Sequence, residues 1–110
     1  MRVKVAWFFE CDLRRRDDLK AKLDSFSSTP WQKWESDSGQ DSLTHKITGH
    51  AWLQIFEFGM GGYVANLTVE TENEHELATE IELAKRVTFD EIFASIGARN
   101  IAVEDEPYHR

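Results

Sequence analysis

A chain of 110 residues has the length of one domain, 1–110, and a second independent core would leave both undersized. Hydrophobic residues make up 41% and charged residues 30%, a globular balance that argues against wholesale disorder. Thirteen Lys and Arg against twenty Asp and Glu leave a net charge of −7, which argues against a general binder of nucleic acid or of an anionic membrane surface.

Val3, Val5, Trp7 and Phe9 alternate with Lys4, Ala6, Phe8 and Glu10. The period of two, with the second face apolar at Ala6 and Phe8, predicts a central strand whose middle is covered on both sides. The apolar stretch is short, is interrupted by Lys4 and lacks a small-residue cleavage site, so it reads as a strand and not as a secretion signal. The lone Cys11 has no internal disulfide partner. That suits a reducing compartment, and no run approaches the roughly 18 apolar residues of a membrane helix, so the expected location is the cytoplasm. Asp12 is a plausible N-cap for a helix from Leu13 to about Phe26, with Leu19, Leu23 and Phe26 on one face. The Ser25 to Pro30 segment ends it, because Ser27, Ser28 and Thr29 continue a helix poorly and Pro30 disfavours a helical Thr29.

Trp31 to Glu35 has the makings of a short strand, and Asp37 to Ser42 is turn chemistry. Leu43 to Phe58 is long for one strand, so a bulge or bend is expected at Gly49. Two alternating stretches flank Gly59-Met60-Gly61-Gly62, which predicts a hairpin continuing from Tyr63 to Thr71. Asn73 with Glu76 has capping-box form and opens a helix through Leu77, Ile81 and Ala84. Thr88 with Glu91 repeats the signature, so one long helix or two broken near Val87 are both open, with Gly97 as the stop. Asn100 to Val103 reads as a last strand before an acidic tail from Glu104 to Arg110. The order predicts an α+β domain: a largely antiparallel sheet with helices on one face, in a ferredoxin-like βαββαβ core with an inserted short strand.

No catalytic constellation stands out. His45, His50, His75 and His109 lack the helical spacing of a zinc site, and there is no second cysteine. Cys11 lies between a strand and a helix, where a thiol pKa can fall, but Glu10 and Asp12 oppose that. The serines occupy turn-like segments, and the Gly-rich loop lies between strands with no Lys-Ser/Thr after it. The expectation is no catalytic residue, no metal and no cofactor.

Charge and aromatics carry more. Residues 1–50 hold nine basic and eight acidic side chains, and residues 51–110 hold four and twelve. Glu70, Glu72, Glu74, Glu76, Glu80 and Glu82 follow one another with no basic residue among them. Such a set is either a solvated face or a surface that meets a basic partner. Four tryptophans, Trp7, Trp31, Trp34 and Trp52, divide between core and interface roles.

In size, charge and missing chemistry the chain resembles the small acidic immunity and antitoxin proteins that bacteria keep beside toxic effectors, such as those of contact-dependent inhibition systems. The resemblance implies a non-enzymatic inhibitor of a basic toxin domain, often a nuclease, with no direct nucleic-acid or membrane partner. The six glutamates would pair with the toxin's Lys and Arg, and Trp31, Trp34 or Tyr63 would supply apolar anchors. A related variant is a phage-encoded inhibitor that mimics nucleic-acid charge. The rival from another class is a small ligand-binding or enzymatic ferredoxin-like dimer, with Trp7, Phe9, Trp52, Phe56 and Phe58 lining a pocket between sheet and helices. A structural subunit of a larger assembly is a third reading.

Overall fold

The computed structural model describes residues 1–35, 41–59 and 61–104. The chain runs β1 (Arg2–Glu10), α1 (Arg16–Phe26), β2 (Gln32–Trp34), β3 (Ser42–Thr48), β4 (Ala51–Gly59), β5 (Gly62–Glu70), α2 (Glu74–Val87), a π-helical stretch (Thr88–Phe93), a last helical turn α3 (Ala94–Ile96) and β6 (Arg99–Val103). All six strands pair antiparallel in the order β2-β3-β4-β5-β1-β6. The fold is thus α+β, as the periodicity predicts. Six strands in this order exceed a plain βαββαβ core with one added strand. The physical reason lies at Gly49: the long stretch from Leu43 turns there as a tight Gly49-His50 loop, with Thr48 opposite Ala51, and becomes two strands where one bent strand was expected. The turn predicted over Asp37 to Ser42 lies mostly outside the described residues, as does the tail beyond Glu104.

Strand parity sets the core. Trp7, Phe9, Leu53, Ile55, Tyr63, Ala65, Leu67 and Val69 face the helices and meet Leu19 and Leu23 of α1, Ala84 of α2, and Ile92, Phe93 and Ile96 beyond it. Phe9 stacks on Tyr63 at 5.4 Å, and Phe89 and Phe93 present ring edges to Trp7 at 5.3 and 6.0 Å. Among the described residues no helix lies on the opposite face. β1 is interior, but of its residues on that face only Ala6 is buried, under its cross-strand neighbours, while Phe8 remains partly exposed.

One helix boundary differs from expectation, and the structure chooses between two readings at another. α1 starts at Arg16, not Leu13, and its N-cap Arg15 makes no side-chain cap. Residues 11–13 are held in loop form: Cys11 N–H donates to Gly61 O at 3.0 Å, and the Tyr63 hydroxyl donates to Leu13 O. Asp12, freed from capping, pairs instead with Arg99. At the other end Asn73 caps α2 by accepting from His75 N–H, but Thr88 opens no second helix. Its hydroxyl donates back to Ala84 O within one continuous rod. Gly97 stops the rod in the left-handed conformation (φ 66°), as its composition predicts.

Gly61 has φ +83°, and a Cβ there would lie 2.8 Å from Cys11 O, a backbone atom. Both the dihedral and the contact exclude a side chain. Gly61→Ala should therefore lower unfolding free energy by about 2 kcal/mol or more, whereas Gly49→Ala, with open space around it, should change it by less than about 0.5 kcal/mol. Equilibrium urea unfolding of the two variants checks this.

Candidate functional site

The predicted site residues separate. Trp31 and Tyr63 are 2% and 1% exposed, so neither is an interface anchor. Trp31 caps the core beside α1: its backbone N–H donates to Asp24 Oδ1, its indole N–H donates to Ser27 Oγ, and His45 stacks on it at 4.9 Å. Tyr63 occupies the core face of β5, where burial raises its phenol well above the usual range. Trp34 is exposed, but it lies on the edge strand β2 and on the sheet face away from the helices.

The glutamates divide as well. Glu70 ends β5 on the bare sheet face and pairs with Arg2 at 2.8 Å. Glu72 lies in the β5–α2 turn, and Glu74, Glu76, Glu80 and Glu82 lie along α2. Of these five only Glu80 is half-buried, and none forms an ion pair among the described residues. Leu77, Ile81 and Ala84 take the inward side of α2, which forces the carboxylates outward. Glu74 and Glu76 in the first turn, with Lys85 and Arg86 in the last, also suit the helix dipole.

The bare face of the sheet carries what the sequence reading assigned elsewhere. Reading across paired strands, one row holds Trp34, Ser42, Phe56, Val64 and Phe8, and the next holds Gln32, Thr44, Gln54, Asn66 and Ala6. A third holds Lys46, Trp52, Thr68 and Lys4, and Glu70 with Arg2 closes the pattern. Trp52, Phe56 and Phe58 therefore do not line a pocket against the helices, where Trp7 and Phe9 are packed in a filled core. The parity of β4 already holds this signal, since the three aromatics alternate with Ala51, Leu53 and Ile55.

Over the first of these rows a groove of about 890 Å³ opens, floored by Phe56, Phe58, Val64 and Asn66. Its rim is Arg15, Arg16 and Asp17 from the start of α1, with Asp41, Glu57 and Glu104. Arg16 Nη1 lies 2.9 Å from Asp41 Oδ2 without an aligned hydrogen bond, so the contact is chiefly electrostatic. Lys33 donates to Asp17 and holds that carboxyl below its usual range. Glu57 and Glu104 have no ion pair among the described residues, which leaves the groove mildly acidic.

Among the described residues no cluster of His, Cys, Asp or Glu is arranged to hold a metal ion. His45 stacks on Trp31 while His50 lies in the β3–β4 turn, and burial lowers the pKa of His45 although Asp24 opposes the shift. Cys11 is buried, which pushes its thiol up despite the Leu13 backbone contact. No helix is long and apolar enough to cross a membrane among the described residues. The chain matches no known family model and no curated protein.

Two outcomes follow from these environments. Cys11 should react with a thiol reagent only as fast as the protein unfolds, so labelling in buffer should lag labelling in urea by orders of magnitude. His45 binds a proton more weakly folded than unfolded, so its contribution is complete above its ordinary value of 6.5 and is lost as pH falls through 6.5 toward the lowered folded value. Unfolding free energy should decline from pH 7 to pH 5, and His45→Phe, which keeps the stack, should flatten that decline.

Proposed function

We propose that the chain is a non-enzymatic binding protein that neutralises a basic partner through the outward face of α2 and the turn before it. The observation that carries this reading is the run Glu72, Glu74, Glu76, Glu80 and Glu82, directed outward without cationic partners among the described residues. Closely spaced carboxylates repel one another and cost stability, a cost that a basic partner would relieve on binding. The partner class that fits is a toxin domain whose Lys and Arg ordinarily hold phosphates, and the chain would act as its immunity protein inside the producing cell. Glu70 contributes less, because Arg2 already neutralises it. A filled core beneath the helices supports a binding surface over an internal catalytic pocket.

We also infer that β1, α1, β4, β5, α2 and β6 form a ferredoxin-like unit into which the β2–β3 hairpin is inserted. The order β4-β5-β1-β6, antiparallel throughout, supports this reading, with β3 and β2 extending one edge. A ligand-binding role is the second reading, favoured by the groove over Phe56 and Phe58.

Replacing Glu72, Glu76 and Glu80 together by Lys should slow association with a captured basic partner by about tenfold or more at low salt and flatten its salt dependence. Stopped-flow association rates across a salt series measure both. Equal rates and equal slopes in variant and parent would remove α2 as the contact face.

A further inference from the structure

The bare sheet face divides into two halves of opposite character. At one end lie Phe56, Phe58 and Phe8, with Glu57 in the groove and Glu10 just beyond it, beside a rim where Arg16 faces Asp41 and Arg15 has no ion pair among the described residues. At the other lie Trp52, Lys46 and Lys4, with Arg2 already paired to Glu70. Between them runs the row through Gln54 and Asn66, uncharged as far as Ala6, beyond which Glu104 N–H donates to Ala6 O. Phe58 is 73% exposed, Trp52 38% and Phe8 37%, a large aromatic content for a face open to water.

We propose that this face is the contact between two copies of the chain. The twofold axis lies in the interface and crosses the strands along the Gln54–Asn66 row. A rotation about it sets each end of one copy over the opposite end of the other, which is the self-complementarity an isologous contact requires. The second copy's Trp52 then enters the groove over Phe56, aromatic against aromatic. Its Lys4 and Arg2 come over Phe8 and Glu10, where cation meets ring and carboxylate. Gln54 and Asn66 meet their own counterparts at the axis. A primary amide carries both donor and acceptor and can pair with a copy of itself. Gln54 already donates one N–H to Ser42 Oγ at 2.8 Å, which leaves its carbonyl oxygen and its other N–H for that contact.

The area suffices. Strands of 9, 3, 7, 9, 9 and 5 residues, about 4.8 Å apart with about 3.3 Å per residue, present roughly 670 Å² per copy, or roughly 1,300 Å² for the pair, within the range of about 1,200–2,000 Å² for stable complexes. A uniformly basic or uniformly acidic partner would meet like charge at one end of β1, whereas a second copy sets Lys4 and Arg2 against Glu10 at both ends. The contact leaves the outer side of α2 free, so it stands apart from the reading of the acidic helix.

Sedimentation equilibrium of the full chain alone tests this. The expected result is a mass of twice 12.8 kDa at high concentration that falls to 12.8 kDa on dilution. Trp52→Glu should weaken dimerisation at least about thirty-fold with an unchanged circular dichroism spectrum. Arg2→Glu should weaken it about tenfold, and adding Glu10→Arg should restore it. Both of these side chains are exposed, so the charge swap decides the matter even where Trp52→Glu misfolds. A mass of 12.8 kDa up to millimolar concentration overturns the proposal, as does a dimer indifferent to the charge swap. Because no partner protein is present, failure here leaves the α2 reading untouched.

Discussion

The approach of Cys11 to Gly61 is the constraint from which the rest of the molecule takes its shape. Gly61 closes the β4–β5 hairpin, and its missing side chain lets the loop after β1 lie against that turn. The backbone bond from Cys11 and the hydroxyl of Tyr63 then hold the loop as far as Leu13. Only after this anchored stretch does the chain become free to wind into α1. Arg15, Arg16 and Asp17 consequently stand at the end of the sheet, as a rim beside Phe58 and Gly59. A helix starting three residues earlier would have buried its first turn against the hairpin and removed that rim.

The sheet was the legible part of the fold, because a period of two assigns every residue to a face once one face is known. Ala51, Leu53 and Ile55 against Trp52, Gln54 and Phe56 is such a record, and the structure keeps it. What parity cannot state is which face the helices cover. The larger aromatics seem the natural core, yet the helices sit on the aliphatic side of β4, where small and branched side chains allow close packing. Trp31 was illegible for another reason. Its burial depends on Asp24 and Ser27 at the end of α1 and on His45 of β3, and no local pattern announces such a meeting.

The acidic run was legible in composition but not in arrangement. Six glutamates in a row look like one patch, and the break between strand and helix splits them. Glu70 goes to the sheet and finds Arg2 across the ladder, a pairing between residues sixty-eight positions apart. Glu72 stays in the turn, and the other four follow α2, whose inward stripe of Leu77, Ile81 and Ala84 dictates where they point. Sequence distance was thus a poor guide to surface continuity at the one place where the backbone changes from extended to helical.

The π-helical stretch shows how the two ends of the second helical rod are kept in phase. From Ala84 the inward positions recur at Thr88, Ile92 and Ile96, in steps of four. On an α-helix such steps drift about 40° per turn, and over three of them the stripe would leave the core. The wider winding of Thr88–Phe93 takes up that excess and returns Phe93 to Phe9 at 4.9 Å. The rod therefore behaves like a gear with one additional tooth. Loss of a single residue in this stretch would let it wind as a regular α-helix with the two halves still in phase, whereas α-winding at the present length would rotate the acidic half by about 100° relative to the aromatic half, so length here is as much a part of the design as composition.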